Sequence, residues 1–278
     1  MTPVDRTLPS LHALARGLGA HLLRRPLALA GAVGLAVLTL TVLAVPLLEA
    51  LTGLDAEAID LLARLAPPSS AHPLGTDELG RDLLARLLRG GRVSLAVGVT
   101  AALAAAGLGT AIGLPAGYFG GRVDGVLMRL TDAVIALPLL PLLIVLSAVD
   151  SAKLGLPAGF LPPEAVGLAR IVAIVALVGW TTAARLVRGA TLAARRCDYV
   201  RAAEALGARP WRIMAVHILP NVASPLVVAT TLSVGNIILL ESVLSFLGLG
   251  IQPPVASWGN MLTGAQELIG TAPHLAFW

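Results

Sequence analysis

Cysteine, lysine and charge are all scarce in this chain, and each shortage removes a class of chemistry. Cys197 is the single cysteine among 278 residues, so the chain holds no internal disulfide and no cysteine cluster for zinc or an iron–sulfur centre. Lys153 is the single lysine, so no glycine-rich loop ending in Lys-Ser or Lys-Thr exists and the chain is not its own P-loop ATPase. The histidines, His12, His21, His72, His217 and His274, are scattered, and none forms the His-x-x-x-His or Glu-x-x-His pair that puts two ligands on one helical face. No serine or carboxylate pairing has a histidine base nearby in sequence, and Ser242 and Ser245 read as helix-packing groups. No catalytic, cofactor or metal residue is expected.

What is present is apolar. Hydrophobic residues make up 56% of the chain and charged residues 13%, where a soluble domain carries about a quarter charged. With a mean hydropathy of +0.85, this is the composition of an integral membrane protein. The 20 basic residues outnumber the 16 acidic ones and flank apolar runs instead of alternating with aromatics, so they serve membrane topology and no nucleic-acid partner is expected.

Five apolar runs are long enough to span a bilayer, at about 26–48, 93–119, 130–149, 165–184 and 222–247. Residues 1–25 form a basic tail carrying Arg6, Arg16, Arg24 and Arg25. The first run exceeds the apolar core of a signal peptide and lacks a convincing small-residue cleavage site, which favours an uncleaved span. Gly109, Gly113 and Gly117 recur every fourth residue in the second run, a stripe that lets a neighbouring helix approach closely and marks a packing face. Pro138 and Pro141 should bend the third run. Asp132, near its start, is placed to pair with Arg129, and Arg170 can snorkel from the fourth. Glu241 lies deep in the fifth, where a carboxylate is costly unless it faces the bundle interior, a partner or a water-filled path. It either lines a translocation path or locks two helices together.

The first long loop, 49–92, ends in HPLGTDELGRDLLARLLRGGRVSL. Thr76 reads there as an N-cap with Asp77 and Glu78 in the first turn, and Leu79, Leu83, Leu84, Leu87 and Leu88 recur at helical spacing opposite Arg81, Asp82, Ala85, Arg86 and Arg89. That pattern predicts a helix lying in the membrane interface, which orients the second span. With the N-terminus cytoplasmic, the segment 185–221 is cytoplasmic too, in keeping with its seven arginines (185, 188, 195, 196, 201, 209 and 212) against Asp198 and Glu204.

Within that segment, YVRAAEALGARPWRIMAVHILPN (199–221) reads as two short helices joined at Gly207, the second opened by Pro210 and closed by Pro220. Arginines beside Val200, Leu206, Trp211 and Met214 make a mixed surface suited to docking.

This segment resembles the cytoplasmic signature loop of bacterial ABC-importer permeases, with the pattern Glu-Ala-Ala, three residues, Gly, and an Ile-x-Leu-Pro ending. Ala202, Ala203, Gly207, Leu219 and Pro220 match; Arg201 replaces the Glu and His217 the Ile, so no role of that Glu is carried over. WTTAARLVRGATL, HILPNVASPLVV, ESVLSFLGLGIQPPVASWGNML and HPLGTDELGRD all look like the dipeptide, oligopeptide and nickel branch, and the resemblance runs from about Arg24 to the end. It implies an all-α polytopic transmembrane bundle of the type I importer kind over 26–278, in a bacterial inner membrane. Tyr199, Arg201, Ala202, Ala203, Glu204, Gly207, Trp211, His217, Leu219 and Pro220 are then the ATPase-coupling residues.

The implied partners are the lipid membrane, a second homologous permease, two ABC ATPase subunits that hold ATP and Mg, and an extracytoplasmic solute-binding protein. This chain itself binds no cofactor and is no enzyme. The branch continues into one more span, and that expected final span is absent here, the sequence stopping at Trp278 at its threshold. The expected cargo is a dipeptide or oligopeptide, with nickel or another small solute as the alternative. An ion-gradient-driven secondary transporter is the competing class, for which only Glu241 argues and no internal repeat does. A membrane scaffold without transport activity is the third.

Overall fold

The computed structural model describes residues 26–53, 55–147, 163–263 and 265–277. The expected tail 1–25 and most of the loop expected at 150–164 lie outside them. Helix α1 (Pro26–Thr52) is a unit by itself, an apolar rod with Pro46 inside it, where hydroxyls such as Thr39 Oγ1 donate to the carbonyl four residues back.

The second unit, described from residue 55 onward, is built on helices of 8 to 37 residues. They are α2 (Leu83–Phe119), α3 (Gly121–Ala136), α4 (Leu139–Ser147), α5 (Pro163–Arg195), α6 (Asp198–Ala205) and α7 (Pro210–Phe246). Short turns α8 (Trp258–Met261), α9 (Ala265–Leu268) and α10 (His274–Phe277) follow. Among the described residues, 4 helices are long and apolar enough to cross a membrane: Leu29–Leu51 within α1, α2, Ala165–Arg195 within α5, and α7.

Glycine decides how α2 meets α5. A Cβ on Gly109 would lie 2.7 Å from the Trp180 carbonyl oxygen, one on Gly113 3.0 Å from the Val187 Cβ, and one on Gly117 2.8 Å from the Arg188 carbonyl oxygen. The two backbones therefore touch along the whole stripe, the contact that replaces the hydrophobic effect where lipid is the solvent. Higher up, Val97 and Ala101 of α2 interlock with Ile171 and Val175 of α5 and Ile237 of α7 in one apolar cluster, while Leu143 of α4 packs on Ile174 and Leu244.

Several local expectations are corrected. The N-cap of α2 is Asp82, whose carboxylate accepts from Ala85 N–H at 2.9 Å, and not Thr76, which is buried and bonded to Ala63 and Ala66 in the loop. Residues 83–89 are the first turns of α2 rather than a separate interfacial helix, and Arg86, placed on the polar face by periodicity, is 4% exposed. The reason is electrostatic: Asp77 folds back to meet Arg86 at 3.3 Å, so the guanidinium has a partner where it is buried.

The stretch 130–149 is not one helix, because α3 stops at Ala136 and Pro138 opens a second segment. Asp132 pairs with Arg185 of α5 at 2.6 Å, across helices, instead of with Arg129. Pro220 does not close the helix begun at Pro210. A π-helical turn, Ile213–Ile218, with Leu219 N–H bonded to the Met214 carbonyl, absorbs the donor that proline lacks, and α7 runs on to Phe246.

Candidate functional site

The chain leaves α5 at Arg195, turns at Cys197 and forms α6. That helix ends in a Schellman closure: Ala208 N–H bonds to the Ala203 carbonyl at 3.1 Å and Gly207 N–H to that of Glu204 at 2.9 Å. Gly207 occupies φ +78° and a Cβ there would meet nothing, so the glycine is needed for backbone conformation and not for space. Pro210 then sets the first turn of α7.

The two helices have an inner and an outer face. Val200, Ala203, Ile213, Met214 and Ile218 are buried in a cluster with Leu114 and Tyr118 of α2, Val187 and Ala194 of α5, and Val222. Tyr118 reinforces this contact by donating its hydroxyl to Glu204 Oε1 at 3.2 Å, with the Arg195 guanidinium 5.5 Å above its ring. Outside lie Leu206 and Trp211, 88% and 70% exposed, with Tyr199, Arg201, Ala202, Arg209 and Arg212 around them. The Tyr199 phenol is pushed above its ordinary value by partial burial and then by the neighbouring Cys197.

Of the residues singled out in the sequence, Ala203 and Glu204 thus anchor the projection, while Tyr199, Arg201, Ala202, Gly207 and Trp211 face outward. His217, Leu219 and Pro220 lie behind it in the π turn and the following helix, where the His217 carbonyl accepts from Asn221 Nδ2 at 2.8 Å. Tyr118 escaped sequence reasoning because it sits at the end of an apolar run with no polar neighbour to mark it. At the same end of the bundle, α3 is tied to α5 where Arg188 grips Asp124 through both carboxylate oxygens, Nη2 at 2.6 Å. That contact holds the Asp124 carboxyl below its ordinary range, against the opposing effect of burial.

A second polar centre lies far from the projection. Glu241 is fully enclosed; its Oε2 accepts from Ser94 Oγ of α2 at 2.9 Å and its Oε1 from Ser245 Oγ at 2.6 Å. Each serine in turn accepts a backbone N–H, Ser94 from Trp258 at 3.3 Å and Ser245 from Ile251 at 2.9 Å. Trp258 Nε1 also donates to the Leu87 carbonyl at 3.1 Å, and its ring lies where Gly91 leaves room. One carboxyl group therefore joins α2, α7 and the segment 251–258. Ser245, read from the sequence only as a helix-packing group, is the i+4 partner that the spacing in ESVLS could have marked, whereas nothing local marks Ser94 or Trp258. Among the described residues no group of His, Cys, Asp and Glu is arranged to hold a metal.

A multi-helix bundle with long apolar helices and a two-helix projection between the last two of them defines a polytopic membrane component. The pattern of the binding-protein-dependent transport system inner membrane component family matches residues 109–278, and the chain belongs to that family. It is similar to the glutathione transport system permease protein of Pectobacterium atrosepticum, 41% identical over 209 residues, 75% of this chain and 65% of that one. The probable D,D-dipeptide transport system permease protein of Escherichia coli is 40% identical over 77% of this chain and 67% of its own length. The oligopeptide transport system permease protein of Bacillus subtilis is 37% identical over 88% and 76%. The chain thus spans between 65% and 76% of the length of these three relatives.

Proposed function

We propose that the chain is the membrane-spanning permease subunit of an ATP-driven importer of dipeptides or oligopeptides, with its N-terminus in the cytoplasm. The observation that carries this reading is the projection itself, rooted by Val200, Met214 and Ile218 in the bundle and presenting Leu206 and Trp211 outward. A rigid element with an apolar tip and an arginine-rich rim suits a groove on another protein, since large exposed apolar side chains at a loop tip mark contact sites. The names of the similar proteins support a peptide cargo.

In this reading two ATPases, which hold the ATP and Mg, grip the projections of this chain and of a second homologous permease, while an extracytoplasmic binding protein delivers cargo. Closure of the ATPases pushes α6. Because α6 shares one apolar cluster with α2, α5 and α7, the push moves these spans together, and the bundle changes access by shifting between two arrangements. Glu241, enclosed and bonded at both oxygens, holds helices together instead of lining the path.

Purification of the tagged chain from its native membrane, with identification of co-purifying subunits and bound solute, tests the reading. Two P-loop ATPases, a second permease and a peptide are expected. Isolation of the chain without an ATPase, under conditions where a bundle of this kind stays intact, would contradict it.

A further inference from the structure

The loop before α2 and the segment after α7 fold against each other, with His274 Nε2 3.4 Å from the Thr76 carbonyl oxygen, and enclose an open cavity of about 480 Å³. Its walls carry charge of both signs: Arg81 and Arg86, with Asp77 between them, and the carboxylates of Glu78 and Glu267. Asp77 is fully used. Its Oδ1 accepts from the Leu79 and Arg81 N–H groups, and its Oδ2 meets Arg81 Nε at 2.7 Å and Arg86 Nε at 3.3 Å. One carboxylate shared by two guanidiniums leaves a net positive charge on that wall, and Arg86 is held there at 4% exposure with Nη1 toward the Ala56 carbonyl. Glu78 and Glu267 form no ion pair among the described residues. They add carboxylates without ionic partners to the same lining.

We propose that this cavity is a subsite for a short free peptide, its α-carboxylate toward Arg81 and Arg86 and its α-ammonium toward Glu78 and Glu267. A cavity of this volume is roughly 10 Å across, the scale of small-ligand sites. The main chain of a dipeptide extends about 7 Å, so both termini of a dipeptide fit inside, whereas a tetrapeptide at about 14 Å overshoots. Leu79, Pro253 and Met261 supply apolar lining for side chains without dictating their identity. The inference rests on the peptide-importer reading and adds a place on this chain where the cargo pauses and a preference for its length.

The test uses the purified importer complex in lipid nanodiscs without its binding protein. Binding of Ala-Ala is compared with that of N-acetyl-Ala-Ala, Ala-Ala amide and tetra-alanine. Ala-Ala should bind about tenfold more tightly than any of the three, the scale of one charge-assisted contact. The Glu78→Gln/Glu267→Gln double variant should lose that tenfold for Ala-Ala while binding the N-acetyl form as the wild type does. Arg81→Gln should behave in the same way toward the amide.

Absence of binding, equal affinity for free and blocked peptides, or a uniform loss for every ligand in the variants would overturn the subsite. So would a fall in affinity for the binding protein in the double variant with Ala-Ala binding intact, because the acidic wall would then belong to that protein. ATPase co-purification with the wild-type complex is read separately. A complex that assembles with its ATPases yet ignores peptide termini removes this subsite and leaves the importer reading standing.

Discussion

Ser94 and Glu241 stand 147 positions apart and meet at 2.9 Å inside the protein, Ser94 Oγ donating to Glu241 Oε2. Because Ser94 also receives the Trp258 N–H, the contact fixes α2 against both α7 and the segment that follows it. Glu241→Gln replaces one acceptor by a donor aimed at a serine that already uses its own proton. The expected cost is about 1–3 kcal/mol, the scale of one unsatisfied buried polar group. Recovery of assembled protein and its thermal midpoint should both fall; a variant that assembles normally but transports poorly would instead place Glu241 on the path.

The glycine stripe makes an internally controlled prediction. Gly113→Val forces atoms into Val187 and the Ala184 backbone, and overpacking of this sort costs about 1–3 kcal/mol. Gly107, on the same helix, has nothing within 4 Å of its Cβ position. Thermal unfolding in detergent should therefore show a large loss for Gly113→Val and little change for Gly107→Val.

Orientation is open to labelling. With the exposed Cys197 replaced, a cysteine at Arg196 should be shielded from an impermeant thiol reagent in intact cells, and one at Ser70 should react. Reversed labelling would invert the topology.

The Asp124–Arg188 pair gives a pH signature. A carboxyl whose folded value is depressed contributes stability that is complete above its unfolded value and is lost as pH falls through the folded one. Wild type should thus exceed Asp124→Asn in stability at neutral pH, with the gap closing only below the ordinary carboxylate range. Denaturation of both proteins across pH 2–7 would measure it; a gap independent of pH would remove the ion pair as its source.

What the sequence discloses and hides follows from range. Gly207 and Pro210 announce a turn because each constrains its own backbone, and the structure puts Gly207 at φ +78° and Pro210 at the start of a helix. The stripe 109, 113, 117 is visible because period four is a property of one helix. Asp132 misleads for the opposite reason: Arg129 is near in sequence, but Arg185, 53 positions on, is the nearer in space. Thr76 and Asp82 are both competent caps, and the choice is made by the burial of Thr76 among Ala63 and Ala66. Pro220 looks like a stop because a π turn, which tolerates a missing N–H, has no sequence period of its own.

The central claim is that the projection from Asp198 to Arg212 couples ATPase movement to the spans, and Gly207→Val tests it most directly. The residue holds a left-handed conformation in open space, so a β-branched side chain costs about 1–3 kcal/mol through the backbone alone and tilts α6 against α7. Gly189→Val, at an exposed helical glycine with nothing within 4 Å, is the control. Pull-down of the ATPase from solubilised membranes, read beside ATP-driven uptake, should show normal insertion of both variants. ATPase association should be weakened and uptake lost only for Gly207→Val. Full ATPase binding and full uptake in Gly207→Val would contradict the account.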